Sequence, residues 1–538
     1  MKRVLKLSII AVIQFNLALV SCNSGVRDGS YTLEIYSTND IHGRIFDSLY
    51  TENRSNPYSL SSVSAIVSDA RERLGEDGVI LLDAGDFLQG DNSVYYYNYV
   101  DTVSEHIFTQ VVSYLNYDAL AVGNHDIETG HRVYDRIVRE LTVPYLAANS
   151  VDQHGGDPYF DTYSIIARNG VKIAVIGLTN PNVKKWISED LYSGIDFKEA
   201  LPLVDSLVRI VRKREKPHFV IGLFHLGLGE ESVYDPENCS KYIASHTSGI
   251  DLIFAAHDHK KFAGFLKNGN DSTALLEAGG RASALSLATV TLEFKNGRVI
   301  SKNIKPVVIN LEESSSDGKY NTHFRKEFLS VRDFTKQDIG EIKRALTSDS
   351  LLDGPTEYVD MLHSLQLEIG KADVSFAAPL NPSLNIPEGV IDFQDLMNIY
   401  PFENQLYILN LSGREIKDYL EYSYDQWINQ TGMKYNYDSA AGLIYEVSTD
   451  ARKGERIRIK GMAGGQPFNP DHIYKVAMTS YRANGGGDLL IKGAGLNPAE
   501  LDGRVIKRGD DIRSLLHKKI LERGELTPEK LNHWKFVQ

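Results

Sequence analysis

Only two cysteines occur in 538 residues, Cys22 and Cys239, so no disulfide framework can hold this chain together and its stability must come from packed cores. There is no excess of basic charge: 58 Lys and Arg stand against 71 Asp and Glu, a net charge of -13. Tracking a nucleic-acid backbone needs a basic face, so a polymer ligand is disfavoured. A small phosphorylated substrate is not, because a bound metal can reverse the local sign. Beyond the first twenty residues no apolar run approaches the length of a membrane span. Internal repeats and low-complexity segments are also missing. A chain of this length exceeds one ordinary core, so two or more unlike domains are expected.

What is present begins with a segment outside the fold. Lys2, Arg3 and Lys6 precede the mostly apolar run Leu7 to Val20, the pattern of a secretion signal. It ends L-V-S-C at Leu19 to Cys22, which resembles the lipobox of bacterial lipoproteins. That resemblance implies a signal over residues 1–22, a lipidated Cys22, and an exported protein anchored by lipid in a bacterial cell envelope, on its periplasmic or surface face. An ordinary signal peptide containing a cysteine is the alternative.

From Tyr31 onward strands and helices alternate. Leu33–Ser37, Val79–Leu82, Ala119–Val122, Val171–Ile176, Phe219–Phe224 and Leu252–Ala255 read as short apolar strands, with a helical pattern at Leu201–Arg212 between two of them. Such alternation predicts an α/β domain with a layered, partly parallel sheet over 30–311. Ala288–Phe294 followed by Asn-Gly reads as a closing hairpin. A polar loop near Glu312–Asn321 and a helix from about Phe324 to Leu346 are expected to form an interdomain linker over 312–345. A smaller α/β domain follows over 346–538, with elements at Gln405–Leu411, Arg414–Tyr422 and Arg456–Lys460, a G-G-G-D turn at Gly485–Asp488 and a helical tail.

Strand after strand in the first half ends in polar residues, which are costly there unless they bind something. N-D-I-H-G supplies Asp40 and His42, and D-A-G-D supplies Asp86. G-N-H-D supplies Asn124 and His125. His225 follows F-V-I-G-L-F, and A-H-D-H supplies His257 and His259. Residues at the carboxyl ends of strands converge on one sheet edge. Carboxylate, amide and imidazole donors without cysteine suit borderline divalent ions such as manganese, zinc, iron or cobalt, not a structural zinc site. A carboxylate is the natural bridge between two cations, and Asp86, after Gly85 in a tight turn, is the best candidate. A single histidine at a strand end is usually structural. Five elements in this order are not readily a coincidence.

The order D-x-H, G-D, G-N-H-D, H, H-x-H resembles the calcineurin-like metallophosphoesterases, with Ala256 where glycine is usual. Over most of the chain the similarity is to the secreted two-domain nucleotidases. It implies a four-layer N-terminal sandwich and a C-terminal substrate-binding domain. It also implies that Asp40, His42, Asp86 and His259 hold one divalent metal, and Asp86, Asn124, His225 and His257 a second. Two such cations can hold a hydroxide for attack on phosphorus and clamp the phosphoryl oxygens. By the same resemblance His125 is catalytic, stabilising transition-state charge or protonating the leaving oxygen. Asp126 and Glu128 both qualify to orient it.

In the second half, N-Y-D-S-A-A-G and S-Y-R-A-N-G-G-G-D resemble segments whose aromatic rings sandwich a nucleobase. Tyr437 and Tyr481 take those positions, with Asp488 beside them as a further substrate contact. Many 5′-nucleotidases carry N-G-G-G-I-R where this chain has S-F-A-A-P-L (Ser375–Leu380), so one anion-clamping arginine is gone. That departure, with N-I-Y-P-F-E-N and N-P-N-V-K-K-W, is more similar to the 2′,3′-cyclic-nucleotide 2′-phosphodiesterase/3′-nucleotidase branch. The expected function is therefore hydrolysis of small nucleotide phosphoesters. The 5′-nucleotidase/UDP-sugar hydrolase branch is the first alternative and a surface binding protein without turnover the second.

Overall fold

The computed structural model describes residues 26–51, 55–312, 314–431 and 433–538. The signal segment and Cys22 lie outside the described residues. Among those residues no helix is long and apolar enough to cross a membrane.

The N-terminal half is built on two six-stranded sheets. In the first, Gly29–Thr38, Val79–Asp83, Ala119–Ala121 and Tyr145–Leu146 run parallel, flanked by the antiparallel hairpin Ala284–Lys295 and Arg298–Asn310. In the second, Val171–Leu178, Phe219–Phe224, Leu252–Phe254 and Asp271–Ala278 run parallel between two antiparallel edge strands. Alternate side chains of each strand face opposite layers. Ile35, Ile80 and Leu82 meet Ile173, Val175, Ile221 and Leu223 between the sheets. On the outer faces, helices Leu60–Leu74, Ile107–Leu115 and His131–Glu140 cover the first sheet, and Ala200–Glu215 and Ser240–His246 the second. Four layers result, helix, sheet, sheet, helix, and every predicted strand of this half is present.

The C-terminal half has a five-stranded mixed sheet, ordered Ser439–Ala441, Val374–Ala377, Ile473–Thr479, Gln405–Ser412, Val505–Asp511. Helices Glu357–Gly370 and Ile512–Arg523 pack on one face and Gly413–Asn429 on the other.

Two stretches differ from the sequence reading. No helix reaches Leu346: helices span Gly318–His323 and Arg325–Thr335, and Asp338–Ile342 is already a strand, paired with Gly389–Asp392 and Glu525–Leu526. Thr335 ends the helix by turning its hydroxyl back onto the Arg332 carbonyl. A bulge at Ile339, between Asp338 and Gly340, then breaks the strict alternation that marks a strand in sequence. Nor is the tail only helical. After Ile512–Arg523 the chain closes with Trp534–Val537, parallel to Leu443–Ser448, where Trp534 stacks on Tyr445.

Candidate metal centre and active site

The predicted ligands meet at the carboxyl edges of both sheets. Two glycines bring the loops together. Gly85, at φ +96°, and Gly123 pack against one another, and a Cβ on Gly123 would overlap Asp86. Asp126 then fastens the same loops: its carboxylate accepts the N–H groups of Gly123 (2.8 Å), Asp86 (3.1 Å), Phe87 (2.9 Å) and Leu88 (2.9 Å). It is committed to the backbone and makes no contact with the His125 ring, so Asp126 is not the orienting carboxylate.

Two donor clusters form. Asp40, His42 and His259 have ligand atoms within 4.8 Å of one another, and so do Asp86, His225 and His257. Asn124 joins the second cluster, its Oδ1 at 3.0 Å from His225 Nε2 and 2.9 Å from His257 Nδ1. Asp86 Oδ2 lies 3.1 Å from His225, and its Oδ1 accepts the His125 N–H at 2.8 Å.

Outer contacts fix the imidazoles. His42 Nδ1 lies 2.9 Å from the Gln89 carbonyl and His225 Nδ1 2.9 Å from the Ala84 carbonyl, so donation there would leave both Nε2 atoms free to ligate a cation. His257 Nε2 is 3.2 Å from Glu237, leaving Nδ1 toward Asn124. Burial favours neutral acids, yet the surrounding imidazoles hold Asp86 well below the usual carboxylate range and lower Asp40 as well. Buried carboxylates and imidazole lone pairs converging with so few internal donors fit a pair of divalent cations.

His125 stands between the clusters and solvent. Its ring is 5.4 Å from that of His42, and Nδ1 is bonded to Glu128. Burial opposes its charge, but Asp86 and Glu128 outweigh that and push it up to about 10. Divalent cations in the neighbouring clusters would offset part of this rise.

The aromatic site departs from expectation. Tyr437 is 2% exposed and stacks on Trp427 inside the C-terminal core, so it cannot hold a base. The turn Lys434–Asn436 points Tyr435 outward instead, two residues earlier. Tyr435 packs 6.1 Å from Phe402, a residue of the P-F-E-N stretch that sequence reasoning passed over as a ring. Tyr481 is partly exposed above Arg482. Asp488 is taken up by Lys492 at 2.7 Å.

Two buried arginines hold these rings. Arg482 binds Asp438 through three contacts of 2.8–3.1 Å and also donates to the Tyr435 and Gly486 carbonyls. Arg513 donates to the carbonyls of Tyr400 and Phe402 and pairs with Glu403. Across the cleft, Trp186 stacks on His257 at 5.3 Å, and its helix, Val183–Trp186, touches the helix of Tyr481. Arg513 had no sequence signal beyond its type, while Trp186 and Arg482 lay inside quoted motifs that did not report their contacts.

The sequence matches the calcineurin-like phosphoesterase family over residues 33–261 and the 5′-nucleotidase C-terminal domain over 335–492. The chain is a two-domain calcineurin-like metallophosphoesterase of the 5′-nucleotidase family. As such it is a metal-dependent phosphoester hydrolase. This metallophosphoesterase is 25% identical over 530 residues to a 5′-nucleotidase of Vibrio cholerae, covering 90% of each chain. To the protein UshA of Salmonella pullorum it is 24% identical, covering 94% of this chain and 95% of UshA. It matches the trifunctional nucleotide phosphoesterase YfkN of Bacillus subtilis at 23% identity over 93% of its own length and 38% of YfkN. A Staphylococcus aureus crystal structure described as a 5′-nucleotidase superposes with a TM-score of 0.79 at 21% identity, covering 94% of this chain and all of that one.

Divalent cations held by Asp40, His42, His259 and by Asp86, Asn124, His225, His257 would activate water and neutralise phosphoryl charge. The chain's own part is positional. Glu128 binds His125 Nδ1, which would leave Nε2 to face a phosphoester. Asp126 keeps Asp86 and Asn124 in register, and Glu237 sets the His257 tautomer.

Proposed function

We propose that this metallophosphoesterase hydrolyses small nucleotides, with 2′,3′-cyclic and 3′-nucleotides preferred, as an exported protein tethered by a lipid on Cys22. The observation that carries the reading is the cleft, in which two His/Asp clusters and Asn124 lie across from Phe402, Tyr435 and Tyr481. A flat ring can stack a base of any identity at about 1–3 kcal/mol, and that remote binding positions the phosphoester. We assign the base to Phe402 and Tyr481, with Tyr435 buttressing Phe402.

Preference for the cyclic and 3′ branch rests on two features. Ser375–Leu380 carries no arginine, and Asn180–Trp186 lays Trp186 against the metal-ligand His257. Hydrolysis of 5′-nucleotides is the second reading, favoured by the names of the Vibrio relatives. The test is turnover of 2′,3′-cyclic, 3′- and 5′-nucleotides and UDP-glucose by the manganese-loaded protein. The highest kcat/KM is expected for the cyclic and 3′ substrates. A maximum on 5′-nucleotides establishes the second reading, and no turnover of any nucleotide removes both.

A further inference from the structure

A cavity of about 450 Å³ opens beside the metal centre, between the two domains, and of its lining residues only Phe402 has a role above. Arg44 and Arg281 line the metal-domain side, and Asn381, Gln394, Asn398 and Phe402 the other. The cavity adjoins the first donor cluster. The Arg281 N–H donates to the Asp40 carbonyl at 2.6 Å, and Gly90, in the same wall, lies against His42. A group bound there is next to a phosphoryl held at Asp40 and His42.

Among the described residues Arg44 and Arg281 share one acid, Asp91, in the same cavity wall. Arg44 reaches Asp91 at 3.7 Å, but that carboxylate already accepts the Tyr50 hydroxyl and the Ser93 N–H. The Arg281 guanidinium has no hydrogen-bonded acid among the described residues. Arg281 and Ala282 are consecutive non-glycine residues at φ +56° and +52°; Ala282 is packed in the core while Arg281 is exposed at the cavity. Opposite, the segment Ser375–Leu380 brings no cation to the cavity.

We propose that Arg44 and Arg281 form an anion subsite for a second phosphate of the substrate, one that is not hydrolysed. A guanidinium pair matches phosphate oxygens bidentately, and here the metal domain supplies the charge to a cavity to which Ser375–Leu380 brings none. The inference rests on the nucleotide reading for its substrates. The second phosphate has two sources in nucleotide chemistry: the outer phosphate of a 5′-diphosphate, where water attacks the inner phosphorus, the Pα–O–Pβ bond breaks and the outer group leaves as inorganic phosphate, or the 5′-phosphate of a nucleoside 3′,5′-bisphosphate, where the 3′-ester is hydrolysed and the 5′-phosphate stays on the nucleoside.

The test compares each doubly phosphorylated nucleotide with its monophosphate in the manganese-loaded wild type, Arg281→Gln, Arg281→Lys and Arg44→Gln. Wild type should favour one doubly charged substrate in kcat/KM, and which one identifies the source. Arg281→Gln should shrink that preference about 10- to 100-fold, Arg44→Gln in the same direction, and Arg281→Lys should restore part of it. Independently of any base, calorimetry on the metal-loaded protein should show methylenediphosphonate binding more tightly than methylphosphonate in wild type, with the gap closed in Arg281→Gln. Unchanged preference in both assays, in variants whose melting temperature matches wild type, overturns the subsite. Equal loss on singly and doubly phosphorylated ligands also overturns it, because the arginines then serve the scissile phosphoryl or the fold. Loss of nucleotide turnover with the diphosphonate gap intact removes the nucleotide reading and leaves the subsite.

Discussion

Asp40, His42, Asp86, His257 and His259 all adopt positive φ, between +47° and +88°. For side chains other than glycine this costs about 1–3 kcal/mol each, and it aims donors that an ordinary strand end would splay apart. Sequence order alone made these residues legible as ligands, but nothing in it reports their backbone. Asp86 touches both His225 and the His125 N–H. Asp86→Asn should lose bound metal and more than about 100-fold in kcat/KM, read by elemental analysis and turnover on one preparation. Full metal content with near-normal turnover would take Asp86 out of the centre. The two acids after His125 separate in the same way. Glu128→Gln should lower kcat about tenfold with an unchanged melting temperature, because it acts only through the ring. Asp126→Asn should lower the melting temperature, because a neutral amide cannot accept four backbone N–H groups. The reverse pattern would exchange their roles.

At the scale of elements, the sequence showed the N-terminal strands clearly because each is a short apolar run. The second half was harder to read. In M-K-Y-N-Y-D, two tyrosines alternate about one turn, and only the packing of Tyr437 on Trp427 decides which faces the cleft. Arg482 reads as surface charge in sequence but is buried against Asp438. Removing one partner of such a pair strands the other charge, so Arg482→Met should destabilise the protein by about 3–5 kcal/mol in urea unfolding. A loss below about 1 kcal/mol would mean the pair is solvated. The helix Glu357–Gly370 carries a second buried polar group. His363 Nδ1 donates to Ser375 Oγ, whose own proton goes to Gln366, and Nε2 accepts from Ser439, each imidazole contact being 3.0 Å. Burial pushes this neutral imidazole down to about 3. An unfolded histidine titrates near 6.5, so between those values only the unfolded state takes up the proton. Stability should therefore be level above pH 6.5 and fall below it, by up to about 1.4 kcal/mol per pH unit from this group. Comparing metal-free wild type with His363→Gln by melting temperature from pH 7.5 to 5 should show a shallower fall in the variant. Parallel curves would mean His363 is protonated in the folded state.

In the whole molecule, the domains are joined by more than the chain between them. Asn92 binds Gln394 at 2.6 Å, Tyr95 packs on Phe393, and the Arg513 guanidinium lies 5.2 Å from the Tyr95 ring while holding the Phe402 carbonyl. These contacts set the rings across from the donor clusters, a relation between residues hundreds of positions apart that no local pattern encodes. The ring proposed to stack the base, Phe402, lay inside N-I-Y-P-F-E-N, a stretch whose sequence does not report that Arg513 binds its carbonyl at the cleft. The account stands on a base held by one domain presenting its phosphoester to metals held by the other. The decisive measurement is kcat/KM for a nucleotide and for a small chromogenic phosphoester without a base, in manganese-loaded wild type and Phe402→Ala. The nucleotide value should fall about 10- to 100-fold while the base-free ester changes by less than about threefold. Equal losses on both substrates, or none on the nucleotide, would contradict it.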